Sequence, residues 1–131
     1  MSPQSKVITG KGFRFFGTVV FLLGLIHLLY TSDVAGLLKE TNSFIRISFL
    51  YFYVATGVSL LFCGFLLILI ANQIKQNHNL SILLPGSLAV YLGILGVGAV
   101  LAMPNNPFAY LMLVIAIGFG ILVVRNREIF N

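Results

Sequence analysis

Acidic residues are nearly absent from this sequence, and charged residues of either sign are rare. Only 3 of 131 residues are Asp or Glu, and 8% of the chain is charged, whereas roughly a quarter of a soluble domain is charged. The acidic residues, Asp33, Glu40 and Glu128, all fall outside the apolar runs. Small four-span transporters that couple export to protons generally need a carboxylate inside the membrane. The sequence therefore argues against that mechanism.

Cysteine and histidine are also scarce. The single cysteine, Cys63, allows neither an intrachain disulfide nor a Cys-x-x-Cys redox pair, which excludes thiol oxidoreductases of the four-helix membrane type. His27 lies near the outer end of the first apolar run and His78 in a loop on the opposite side, so one chain cannot hold a b-type haem between them. Only a symmetric dimer or a partner chain would supply the second ligand.

Groups that carry chemistry are missing from the apolar runs as well. No two His, Cys, Asp or Glu residues stand at metal-ligand spacing within one run. Neither a nucleophile–base pair nor a phosphate-binding glycine loop is evident. We therefore predict no metal site, no cofactor and no enzymatic activity for this chain.

Four long apolar runs make up most of the sequence. Hydrophobic residues account for 59% of the chain, and a bilayer core of about 30 Å needs about 20 apolar residues per helix. The runs are continuous, as in membrane helices, and lack the short alternating segments of barrel strands. They predict an all-α polytopic membrane protein, a four-transmembrane-helix bundle in which residues 1–131 form a single membrane domain. The predicted spans are residues 13–31, 44–71, 81–103 and 108–124.

The first run resembles a signal peptide in its basic start and apolar centre. A cut after Ala35 would place Asp33 where a small residue is needed, so we interpret the run as an uncleaved span. Between spans 1 and 2, apolar residues recur at helical spacing in residues 32–43, which predicts a short interfacial helix capped by Ser32 or Asp33.

Basic residues are distributed unevenly between the two sides of the predicted bundle. Six of the eight lie on the side of the chain termini, which predicts cytoplasmic termini in a bacterial inner membrane. They are Lys6, Lys11, Arg14, Lys75, Arg125 and Arg127. Because they form no continuous block, we expect them to serve topology and anionic headgroups and expect no nucleic-acid partner.

Small residues recur at helical spacing in the spans. In lipid, such positions let two helix backbones approach closely. Residues 17–26 also align without gaps on residues 86–95, which indicates either an internal duplication or chance similarity of glycine-rich helices. The predicted packing positions are Gly17, Gly24, Gly86, Gly93, Ala116 and Gly120, with a weakly polar stripe on span 2 at Ser48, Thr56, Ser59 and Cys63. The alternative is that these seams line the path of a solute.

His27 is the only histidine in an apolar run, about 40° around the helix from the glycine seam. Two interpretations stay open: a structural hydrogen bond to a hydroxyl or carbonyl, or contact with a ligand, a proton or a metal. In the second, a lipid, quinone or small hydrophobic molecule would bind near the outer side. The residues predicted to contact it are His27, Asp33, Arg46, Ser48, Tyr51 and Tyr110.

The first span resembles a known family. Arg14-x-x-Gly17 followed by Phe21-Leu-Leu-Gly24-Leu-Ile-His27-Leu is similar to the first helix of small bacterial four-helix membrane proteins of the DoxX-like and related four-span families. The resemblance covers roughly residues 13–30 and the general four-span plan. Links to respiratory or redox membrane complexes are suggested for some members of these families, so the resemblance implies such a link for this chain. Gly24 and His27 are the matched positions that carry over.

These patterns predict a non-catalytic integral membrane protein that serves as a small accessory or structural subunit of a larger membrane assembly. Few polar groups lie inside the spans, while small residues suited to helix packing are frequent. The expected partners are the lipid bilayer and either other membrane protein subunits or further copies of the chain. A hydrophobic-ligand-binding protein and a small channel or transporter are the alternatives.

Overall fold

Five α-helices and one 3-10 helix account for most of the computed structural model, which describes residues 3–76 and 80–130. No β-strand occurs in these ranges. The helices are α1 (Pro3–Leu29), α2 (Thr31–Leu37), α3 (Ser43–Lys75), α4 (Leu83–Ala102), α5 (Pro107–Arg125) and the 3-10 helix Arg127–Phe130.

Four of these helices are long and apolar enough to cross a membrane. Their candidate spans are Lys6–Leu29, Ser43–Lys75, Leu83–Ala102 and Pro107–Arg125. The short α2 lies between the first two of them in sequence. The predicted all-α class, with four apolar helices and a short helix between spans 1 and 2, is therefore confirmed. The chain is a multi-pass membrane protein.

The first two long helices extend beyond the predicted spans. α1 begins at Pro3, ten residues before the predicted start at residue 13, and α3 ends at Lys75 instead of residue 71. Proline at the start of a helix loses no intrahelical hydrogen bond, so Pro3 suits this position. At 1.5 Å per residue, the 33 residues of α3 span about 50 Å, more than the hydrocarbon core. The predicted loop at 72–79 is thus helical in its first half, and its His78 lies outside the described residues.

Side-chain caps mark two of the predicted helix starts. The Asn42 side chain accepts a hydrogen bond from the Phe44 amide at the start of α3 (2.9 Å), and the Asn106 side chain does the same for Phe108 in α5 (3.0 Å). In α2, by contrast, the cap residue is Tyr30 and no side chain caps the helix. The predicted cap at Ser32 or Asp33 is wrong, because both residues lie inside the first turn of α2.

Two compact units divide the chain. The hairpin unit comprises Gly17–Leu66, and the terminal unit comprises Met1–Phe16 with Leu67–Asn131. α1 and α3 contribute a segment to each unit. That residues 1–131 act as a single domain stays a prediction.

Aromatic packing explains why the polar N-terminal segment is helical. In the terminal unit, the Phe13 ring is fully buried and meets Phe119 of α5 edge-on, with ring centroids 5.3 Å apart. Phe130 of the 3-10 helix packs on the same ring at 5.7 Å. The Thr9 hydroxyl, one turn earlier, donates to the Asn126 side-chain oxygen (2.7 Å). These contacts with residues near the end of the chain stabilise residues 3–16 as a helix.

Candidate functional site

Backbone-to-backbone packing joins α1 and α3 in the hairpin unit. A Cβ atom on Gly24 would lie 2.7 Å from the Leu61 nitrogen and 2.9 Å from the Gly57 oxygen. A Cβ atom on Gly64 would lie 2.5 Å from the Phe21 nitrogen and 2.7 Å from the Gly17 oxygen. Main-chain atoms cannot rotate away as a side chain can, so only glycine fits at either position.

Two pairs of glycines with the same spacing form this antiparallel contact. Gly17 and Gly24 are seven residues apart on α1, and Gly57 and Gly64 are seven apart on α3. The earlier residue of each pair lies next to the later residue of the other. Sequence reasoning identified the α1 pair but missed the α3 pair, although its spacing of seven was visible in the sequence.

Two hydroxyl groups of the weakly polar stripe predicted on span 2 form hydrogen bonds within α3. The Thr56 hydroxyl donates to the Phe52 carbonyl (2.8 Å), and the Ser59 hydroxyl donates to the Thr56 carbonyl (2.9 Å). Such bonds to a carbonyl three or four residues earlier satisfy the hydroxyl within the helix. Cys63 is buried, and Ser48 is partly exposed.

α4 and α5 pack against each other through a different face of α4 from the one predicted. A Cβ atom on Gly96 would lie 2.9 Å from the Leu113 Cα atom, whereas one on Gly86 or Gly93 would have no atom within 4 Å in the described part of the chain. The buried positions of α4 are Pro85, Leu88, Leu92 and Gly96. This stripe is rotated by one residue, about 100°, from the predicted glycines.

No neighbouring helix packs on Gly86 or Gly93 within the described chain, so the packing role of these residues stays a prediction. The same holds for Gly120 of α5, where an added Cβ atom also meets nothing within 4 Å among residues 3–76 and 80–130. Ala116, one turn before it, is buried. Small residues alone did not reveal which face of each helix was occupied, because that depends on the rotation of the neighbouring helix.

His27 is held by α3. Its Nε2 atom lies 3.0 Å from the Tyr53 carbonyl oxygen, and its ring stacks on the Tyr53 ring with centroids 3.8 Å apart and an interplanar angle of 18°. A carbonyl only accepts, so Nε2 carries the hydrogen and donates it. One turn along α3, a Cβ atom on Gly57 would be 3.2 Å from the His27 ring. The histidine therefore makes the structural hydrogen bond to a carbonyl that was one of its two interpretations.

The contacts found for the other residues predicted to bind a ligand are local, and a shared site around His27 stays a prediction. Asp33 is exposed and lies in the first turn of α2. Tyr51 is exposed and meets its neighbour Phe52 edge-on, at 5.7 Å. Arg46 and Ser48 are partly exposed near the start of α3.

Tyr110 belongs to the terminal unit. Its hydroxyl donates to the Pro104 carbonyl (2.9 Å), across the turn between α4 and α5. Sequence reasoning missed Tyr53, the actual partner of His27. Its signal was a tyrosine two residues after Tyr51, on another face of α3.

An open apolar groove runs along α3 in the hairpin unit. Only side chains of α3 line it, and its volume is about 730 Å³. They are Ile47, Leu50, Tyr51, Val54, Ala55, Val58, Ser59 and Phe62. The wall can contact an acyl chain or an apolar helix, but its few polar atoms give little basis for recognising a polar ligand.

Comparison with known proteins does not assign a function. The chain matches none of the protein-family models, curated proteins or solved structures with which we compared it. The resemblance of residues 13–30 to the DoxX-like families therefore stays a prediction. Across the described ranges, no group of three or more His, Cys, Asp or Glu residues is placed to hold a metal ion.

Proposed function

We propose that this chain is a non-catalytic accessory subunit of a larger membrane assembly, docked through α4 on a transmembrane helix of another subunit. One observation supports the proposal. Gly86 and Gly93 repeat the seven-residue spacing of the glycines that join α1 to α3, yet the space over both is open in the described chain. The glycine spacing that packs α1 against α3 is thus also present on α4, where no helix of the described chain packs against it.

Two exposed valines complete this face of α4. Val90 and Val97 follow Gly86 and Gly93 by four residues each and are 64% and 49% exposed, so the four positions form one stripe along the helix. Glycine within a helix costs roughly 0.5–1 kcal/mol relative to alanine. Close approach of a second backbone, which gains dispersion contacts in lipid, would offset that cost.

A pair of leucine variants tests the proposal. In Gly86→Leu/Gly93→Leu the new side chains start from Cβ positions with no atom within 4 Å in the described chain, so the fold should persist while docking is blocked. Gly98→Leu is the matched control. Gly98 is exposed and lies on another face of α4, and its Cβ position likewise has no atom within 4 Å in the described chain. After extraction of native membranes in mild detergent, we expect the wild type and the control to migrate in a large complex. The double variant should migrate as the free chain.

Cross-linking identifies the partner. In a Cys63→Ala background, Val90→Cys would place a single thiol in the stripe. A cross-linked product heavier than the 14.3 kDa chain by the mass of a different polypeptide supports an accessory subunit. A product of twice the chain mass would mean a homo-oligomer instead. A wild type that migrates only as a monomer would contradict the proposal.

We also propose that both termini are cytoplasmic in a bacterial inner membrane. The support is the clustering of basic residues in the terminal unit, whose sequence includes Lys6, Lys11, Arg125 and Arg127. Labelling of a cysteine added at the C-terminus by a membrane-impermeant reagent, in intact and in opened cells, checks the orientation. The ligand-binding and transport alternatives stay predictions of the sequence.

A further inference from the structure

The terminal unit is strongly basic where its segments of α1 and α3 meet. Its sequence contains six Lys or Arg residues and one acidic residue, Glu128, which is exposed in the 3-10 helix whose Phe130 packs on Phe13. Three of the cations, Lys11, Arg14 and Lys75, are exposed and belong to the two touching helices. The α1 and α3 segments of this unit contain no Asp or Glu.

Arg14 is positioned without being neutralised. Its Nη2 atom donates to the Asn72 side-chain oxygen at 2.6 Å, across the contact between α1 and α3. Asn72 is a neutral amide, so the positive charge has no counter-charge in this bond. A guanidinium has five N–H donors in a planar fork that matches the oxygens of a phosphate group.

Lys11 and Lys75 each lie next to a residue of the contact between α1 and α3. A Cβ atom on Gly10 would lie 3.4 Å from the Ala71 oxygen and 3.8 Å from the Ile74 side chain. Lys11 directly follows Gly10, and Lys75 directly follows Ile74. The helices therefore touch at the turns that carry the two ammonium groups, one turn from the bond between Arg14 and Asn72.

We propose that Lys11, Arg14 and Lys75 form a binding site for the phosphate of an anionic phospholipid headgroup. Three cations without a carboxylate favour a net negative headgroup over a zwitterionic one. Apolar surface borders the site and suits acyl chains: Phe15 is 65% exposed next to Arg14, and Leu69 is 40% exposed one turn before Asn72. A soluble phosphate would gain nothing from that surface.

A lipid titration with matched variants tests the site. The full-length protein is prepared in micelles with phosphatidylcholine and titrated with phosphatidylglycerol, with bound lipid read by native mass spectrometry. Each cation near a charged surface contributes about fivefold to affinity. Lys11→Gln/Lys75→Gln should therefore weaken binding by about 25-fold. Lys39→Gln/Arg46→Gln, which removes the same charge from the hairpin unit, should change it by less than about threefold. Equal losses in the two double variants would overturn the proposal.

A second pair of variants tests the role of Arg14 without removing a cation. Asn72→Asp places a carboxylate against the guanidinium and should weaken phosphatidylglycerol binding by about fivefold or more. Gln73→Glu adds the same charge on an exposed face about 100° around the helix, and should weaken it less. Equal effects of these two variants would contradict a site at Arg14.

Two competitors distinguish the source of the phosphate. Phosphatidylcholine at equal concentration and millimolar inorganic phosphate should both leave bound phosphatidylglycerol in place. Displacement by phosphatidylcholine would overturn the preference for anionic lipid, and displacement by inorganic phosphate would indicate a soluble-anion site instead. Far-UV circular dichroism of each variant confirms that the helices remain folded. Because α4 carries none of these residues, failure of this site leaves the docking proposal intact.

Discussion

Replacing Gly64 with alanine would place a Cβ atom 2.5 Å from the Phe21 nitrogen and 2.7 Å from the Gly17 oxygen. Both neighbours are main-chain atoms of α1, so the contact is relieved only when α1 and α3 separate. Restoring an ordinary contact of about 3.4 Å to the Phe21 nitrogen requires a shift of about 0.9 Å. Such a shift loosens the helix contact on both sides of the substituted residue.

The expected loss of stability follows from two opposing effects. Overpacking costs typically 1–3 kcal/mol, and a backbone clash belongs near the upper end of that range. Alanine in place of glycine favours the helix by about 1 kcal/mol. We therefore expect Gly64→Ala to lower the free energy of unfolding by about 2 kcal/mol.

Reversible unfolding in mixed micelles of mild detergent and dodecyl sulfate, followed by circular dichroism, measures this difference. Gly98→Ala is the matched control, because an added Cβ atom there has no neighbour within 4 Å in the described chain. The control should be as stable as the wild type or more stable by up to about 1 kcal/mol. If Gly64→Ala were as stable as Gly98→Ala, the close approach of α1 and α3 would be refuted.

Two further substitutions test polar contacts in the same assay. His27→Phe keeps a ring to stack on Tyr53 but loses the hydrogen bond to its carbonyl, so we expect the free energy of unfolding to fall by about 1 kcal/mol. His27→Ala loses the stacking as well and should fall by about 2 kcal/mol. Equal stability of His27→Phe and the wild type would contradict a stabilising bond. Thr9→Val removes the 2.7 Å hydrogen-bond donor to the Asn126 oxygen at a partly buried site and should cost about 1–2 kcal/mol of stability. Thr9→Ser keeps the hydroxyl and should cost less, and the reverse order would exclude the hydroxyl as the cause.

The beginning of α1 shows where sequence patterns stop being informative. Residues 3–12 are polar enough to predict a flanking segment, yet they are helical because Thr9 contacts Asn126 and Phe13 packs on Phe119. Both partners lie more than a hundred residues away in sequence. No local pattern contains that information.

The partner of His27 shows the same limit within a single span. A structural hydrogen bond to a carbonyl was one of the two interpretations, and the structure contains such a bond. The acceptor, however, is on Tyr53 and not near Tyr51, which was among the predicted ligand contacts. Two residues differ by about 200° around a helix, so the choice between them depends on how α3 is rotated against α1.

The sequence by itself determined the class of this protein, because crossing a membrane depends on helix length and summed hydropathy, which are properties of each segment alone. It also indicated which positions allow close helix contact, since glycine is recognisable wherever it stands. Only the tertiary structure decided which glycines are used. Gly24 and Gly64 meet main-chain atoms of a neighbouring helix, while Gly86 and Gly93 have no atom within 4 Å of their Cβ positions in the described chain. Contact depends on the position and rotation of two helices, and the sequence of one helix does not specify its partner.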